Sequence, residues 1–173
     1  MEGSTSHSRW MSVDNVMTKD VISLKASTKV LEAWVLLMEA DISGAPVVSD
    51  SGELRAVLSV TDIYRAILER LSRAKALREA RPEPQTEDEV EKEELRELSI
   101  TIRAVAESQV ISIVPSDQKL LFLSPGDSLD RAIHMMAEHN VNRLPVVRDG
   151  QVVGIITRQD VIWIIAGRPR PSL

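Results

Sequence analysis

Two short stretches set a hydroxyl and a carboxylate at one spacing: Ser59-Val60-Thr61-Asp62 and Thr157-Arg158-Gln159-Asp160. Each follows an apolar, strand-like run and opens a helix-like one. A hydroxyl at a helix N-terminus lies beside unpaired N–H groups and the positive end of the helix dipole, which makes a ready anion site. The same spacing also makes a capping box, in which hydroxyl and carboxylate satisfy each other's orphan backbone donors. Taken alone, either stretch reads first as a cap.

What positions them is a repeat: residues 28–63 match residues 127–161. Val30, Ala33, Trp34, Leu37 and Met38 recur 99 positions later as Leu129, Ala132, Ile133, Met136 and Ala137. That spacing is one face of a helix. Pro46-Val47-Val48 recurs as Pro145-Val146-Val147, and one residue then drops from the following turn. A hairpin turn tolerates such a change. Ser59 and Asp62 therefore meet Thr157 and Asp160 at an offset of 98.

Each copy reads strand, helix, strand, turn, strand, helix. The first is expected as Val21–Leu24, Thr28–Ala40, Ala45–Val48, Arg55–Ser59 and Thr61–Leu71. The second is expected as Leu120–Leu123, Ser128–His139, Leu144–Val147, Val152–Ile156 and Arg158–Ala166. Val110–Val114 competes with Leu120–Leu123 as the first strand of the second copy. Pro46 and Pro145 are expected to begin their strands, where a missing N–H costs least. The fold class is thus mixed α/β (α+β), two β-α-β-β-α units.

Composition narrows the function. The 173 residues are 43% hydrophobic and 27% charged, which suits a globular chain. With no cysteine, disulfides, thiolate metal sites and cysteine nucleophiles are excluded. A net charge of −5 argues against general nucleic-acid or anionic-membrane binding. No apolar run approaches the roughly 20 residues that span a bilayer, and the expected location is cytoplasmic. Residues 1–11 read as a disordered tail and 168–173 as a second tail. Residues 72–104 form a charged insert, basic up to Arg81 and acidic over 87–97, with a break at Pro82-Glu83-Pro84-Gln85. It reads as a helical hairpin whose arms attract one another, or as a docking arm for a partner.

Catalysis has little support. His134 and His139 are five apart on one helix, too poorly aligned to chelate a metal, so no metal site is expected. There is no phosphate-binding glycine loop and no serine elbow. Asp127 and Asp130 read as helix-start residues. No enzyme is expected. The runs Ala33–Met38 and Val161–Gly167 are apolar on nearly every side, so these helices need a second apolar partner. A homodimer is the favoured answer.

The repeat resembles a tandem pair of cystathionine-β-synthase (CBS) domains, the arrangement called a Bateman module. The carrying stretches are Val13-Asp14-Asn15-Val16-Met17-Thr18, residues 42–48 with 141–147, and residues 56–63 with 154–161. The resemblance covers about 12–71 and 105–167. It implies two units about a pseudo-twofold axis, with a cleft that takes an adenosyl ligand: AMP, ADP, ATP or S-adenosylmethionine. It assigns the aspartates, Asp62 and Asp160, to ribose hydroxyls, and Ser59 and Thr157 to phosphate. It extends the ligand lining to Pro145, Pro46, Ala45 and Ile22. A carboxylate that accepts two hydrogen bonds suits a vicinal diol, and Gly154 would let backbone approach the ligand. Arg143 and Arg158 are expected to neutralise phosphate. Their first-copy counterparts are Gly44 and Val60, and Ala56 replaces the glycine, so the first site is expected to be the weaker. The favoured reading is a regulatory adenine-nucleotide sensor that acts on an effector protein. The rival is a dimerisation scaffold with empty clefts, in which both pairs are only caps.

Overall fold

The computed structural model describes residues 12–80 and 86–167. The expected tails and the Pro82–Gln85 break lie outside the described residues. The elements in order are α1 (Val13–Val16), β1 (Leu24–Lys25), α2 (Val30–Glu39), β2 (Gly44–Val48), β3 (Leu54–Ser59), α3 (Val60–Glu79) and α4 (Glu87–Ala106). A 3-10 turn (Val110–Ser112), α5 (Leu129–Glu138), β4 (Arg143–Arg148), β5 (Gln151–Thr157) and α6 (Arg158–Ile165) complete the chain. The fold is mixed α/β, with one sheet ordered β1-β2-β3 and a second formed by β4 and β5.

The two central helices follow the repeat. α2 buries Val30, Ala33 and Leu37, and α5 buries Leu129, Ala132 and Met136. Both end in a Schellman motif around a left-handed residue, Asp41 in one and Asn140 in the other. Ile42 N–H donates to the Leu37 carbonyl at 3.0 Å, and Val141 N–H donates to the Met136 carbonyl at 3.1 Å. β4 and β5 are antiparallel and turn at Asp149-Gly150, where both residues have positive φ. That is the geometry a two-residue hairpin needs to match strand twist.

Neither proline begins its strand. Pro46 lies inside β2, which is the central strand of its sheet, and Pro145 lies inside β4. For Pro145 the reason is visible. Leu123 pairs beside β4 by donating to the Pro145 carbonyl and accepting from Val147 N–H, so no donor is required at 145.

The chain forms two compact units, and they do not follow the linear repeats. The unit with most of the second repeat (48–55 and 119–167 of the described chain) also holds the first repeat's lead segment, 12–23. Its core joins Val13 and Met17 to Leu123, Leu144, Val146 and Ile156. Thr18 and Ile155 exchange both backbone hydrogen bonds, at 2.8 and 2.9 Å. The other unit (24–47 and 56–118) combines the first repeat's body with the second repeat's lead segment. There Val105 and Val110 join Leu24, Leu37, Val47 and Leu58.

This exchange corrects the expected first strands. In place of Val21–Leu24, only Leu24–Lys25 is a strand. In place of a strand over Val110–Val114 there is a 3-10 turn at Val110–Ser112, with Val110 drawn into the core by a bond from its N–H to the Thr28 carbonyl. Of Leu120–Leu123, only Leu123 makes a bridge, to Val146.

The charged insert is a hairpin of α3 and α4. Arg78 meets Glu94 at 2.7 Å and Glu97 at 3.7 Å. α3 runs past the expected Leu71 to Glu79, since residues 71–79 are strong helix formers without a breaker. The C-terminal turns of α4 bury Thr101 and Val105 and so belong to the core of their unit. No described helix is long and apolar enough to cross a membrane.

Candidate ligand site

β5 ends at Thr157, which is the N-cap residue of α6. Thr157 N–H donates to Asp160 Oδ2 at 2.8 Å, and Asp160 N–H donates to Thr157 Oγ1 at 3.3 Å. The first repeat does the same at the start of α3: Ser59 N–H donates to Asp62 Oδ2 at 2.8 Å and Asp62 N–H to Ser59 Oγ at 3.3 Å. Both pairs are therefore capping boxes, and Asp62 and Asp160 are each only 7% exposed. Capping takes one carboxylate oxygen, Oδ2. A carboxylate has a second oxygen with its own lone pairs, so a cap does not exclude a ligand acceptor.

Around Thr157 the other expected residues divide. Arg143 opens β4 directly opposite Thr157 in register, so its side chain stands on the same face. It is partly buried, and that burial lowers its guanidinium from the ordinary arginine value while leaving it a cation at neutral pH. Arg158 has different work. Its Nε donates to the Val141 carbonyl at 3.1 Å, and its Nη2 to the Met136 carbonyl at 3.3 Å and to Asn140 Oδ1 at 3.2 Å. A cation there satisfies the carbonyls at the C-terminus of α5, where the helix dipole is negative. Arg158 thus caps the end of α5 in addition to its expected place beside Thr157.

Gly154 is likewise explained by packing. A Cβ at that position would lie 2.2 Å from Met17 Sδ and 2.8 Å from Met17 Cγ. The glycine admits the lead segment's methionine, which is by itself a reason for it. Ile22, a few residues beyond Thr18, is partly exposed in the same unit. Pro145 is buried inside β4. Ser59, Asp62, Ala45 and Pro46 belong to the other unit, where Ala45 and Pro46 are buried.

Three residues here carry no expectation from the sequence. Arg65 Nη1 donates to Asp62 Oδ1 at 3.1 Å; its i+3 spacing was a readable signal. Gln118 clamps Val57 in β3, accepting from its N–H and donating to its carbonyl, both at 3.0 Å. Met17 covers Gly154. Neither Gln118 nor Met17 has a local signal, because each acts across a long stretch of chain. Among the described residues, no group of three or more metal-ligating side chains could hold an ion.

Comparison with known proteins matches this architecture. The family model for the CBS domain fits residues 13–69 and again 108–167. The uncharacterized protein MJ1225 of Methanocaldococcus jannaschii is 26% identical over 153 residues, 88% of this chain. The chain spans only 42% of that protein's length. A crystal structure of CBSX2 in complex with AMP is 26% identical and aligns with a TM-score of 0.62, covering 90% of this chain and 96% of that one. The CBS domain pair of protein MJ0100, in complex with 5-methylthioadenosine and S-adenosyl-L-methionine, aligns with a TM-score of 0.63 at 18% identity. It covers 89% of this chain and 98% of that one. With two matched segments that together span most of its length, the chain belongs to the CBS-domain family, as a tandem pair.

Proposed function

We propose that the chain is a regulatory module that binds an adenosyl ligand, foremost AMP, ADP or ATP, and passes its occupancy to a partner protein. The observation that carries this reading is the convergence of Thr157, Asp160 and Arg143 at one strand end. It offers a hydroxyl and N–H groups at a helix start, a buried carboxylate, and a cation on the same face. Phosphate, ribose diol and charge balance each find a partner there. The AMP complex of CBSX2, at 26% identity over nearly its whole chain, supports the ligand class. The complex of MJ0100 keeps an S-adenosylmethionine-type ligand as the alternative within that class.

A second copy of the chain belongs to this reading. α6 leaves Ile162 at 58% and Ile165 at 76% exposure, and α2 leaves Leu31, Val35 and Met38 exposed. Such apolar helix faces are costly in water and suit a self-association surface. Native mass spectrometry of the purified protein tests both parts together. The expected spectrum is a dimer or larger species that carries an adenosyl-sized adduct or takes one up when AMP is added. A monomer that takes up neither AMP, ATP nor S-adenosylmethionine would leave the scaffold and sensor readings both without support.

A further inference from the structure

Asp62 and Asp160 hold the same place in their repeats, but their helices differ one turn on. Arg65 follows Asp62 at i+3, whereas the residue 98 positions later is Trp163. Asp62 has both carboxylate oxygens engaged. Oδ2 accepts from the Ser59 N–H at 2.8 Å and from the Ser59 hydroxyl at 2.6 Å. Oδ1 accepts from Arg65 Nη1 at 3.1 Å. The carboxylate is buried, whereas the Arg65 side chain is 49% exposed. Arg65 can therefore swing into water without stranding a charge of its own, and the capping box at Oδ2 does not need it.

We propose that Arg65 is an affinity-setting latch on the first repeat's ribose acceptor. It holds the Asp62 oxygen that a vicinal diol would use, and a ligand is bound there only by displacing it. The proposal rests on the reading that the Ser/Thr–Asp pairs receive an adenosyl ligand. Gln118 adds to it: by clamping Val57 two residues before Ser59, it keeps the end of β3 fixed whether or not Arg65 is present. Losing the arginine thus uncovers an acceptor that is already in position. Because Arg65 is half exposed, solvent screens the ion pair, and its hold is modest.

Equilibrium dialysis with radiolabelled AMP tests the latch, using Asp160→Ala as the background so that binding at the first repeat is read alone. Adding Arg65→Ala should tighten AMP about threefold, equivalent to about 0.7 kcal/mol. Arg65→Gln should do the same while preserving the side chain's stem, and adding Asp62→Ala should abolish the gain. Unchanged affinity would make Arg65 a bystander, and weaker affinity would place it on the ligand's phosphate; either result overturns the latch. The wild-type chain separates this from the ligand reading itself. If it binds AMP through Asp160 while the Arg65 variants gain nothing, only the latch fails. If the Arg65 variants gain Asp62-dependent binding but no event depends on Asp160, the latch stands and the Asp160 assignment fails. Absence of binding in every variant overturns both.

Discussion

Asp160→Ala is expected to remove most of the thermal stabilisation that AMP should give the wild-type chain. A ligand at about 100 times its dissociation constant stabilises a single site by about 2.7 kcal/mol. For a chain of this length each kcal/mol raises the melting point by about 2–4 °C, so the wild-type shift is expected at about 5–10 °C. The substitution has two consequences that separate cleanly. Asp160 accepts the Thr157 N–H at 2.8 Å, so its loss opens a capping box and lowers the ligand-free melting point, at a cost of about 1 kcal/mol. It also removes the proposed ribose acceptor, and only that effect reduces the shift on adding AMP. A variant with a lower ligand-free melting point but the full AMP shift would leave Asp160 a cap and nothing more. Differential scanning fluorimetry with and without AMP reads both quantities.

Val13→Asp should destabilise one unit far more than the other. Val13 has no exposed surface and packs with Leu123, Leu144, Val146 and Ile156, although more than 100 residues separate it from each. A carboxylate placed among these apolar side chains is dehydrated. An uncompensated buried charge costs on the order of 3–5 kcal/mol, a large part of the roughly 5–15 kcal/mol that holds a domain together. Hydrogen–deuterium exchange should show lost protection over 119–167 first, with 24–47 less affected. Loss concentrated in 24–47 would contradict the placement of the lead segment.

Much of this was legible in the sequence, and the rest was hidden for identifiable reasons. The helices and the hairpins read out because their signals are local: the apolar face of α2 and α5 and the Asp149-Gly150 turn. The capping boxes were legible as spacing. The exchange of lead segments was not, since the pairing of Thr18 with Ile155 depends on residues 137 positions apart and leaves no periodicity. That one omission accounts for the misplaced first strands, and it is why the packing of Met17 against Gly154 could not be foreseen. Arg158 has a second task that the sequence did not show. A cation beside a hydroxyl suggests an anion, but the carbonyls of Met136 and Val141, brought near by the Schellman turn, also accept from it. The family resemblance gave the pair of units and pointed to a ligand class; spacing alone could not tell a cap from a site, because one residue pair can serve as either.

A crystal structure of the chain grown with saturating AMP tests the central claim most directly. The account predicts ordered nucleotide whose ribose hydroxyls lie at hydrogen-bond distance, about 2.5–3.0 Å, from the Asp160 carboxylate, with the phosphate towards Thr157 and Arg143. Ordered AMP bound away from Asp160, with that carboxylate still joined to Thr157 and unapproached by the ribose, would contradict it.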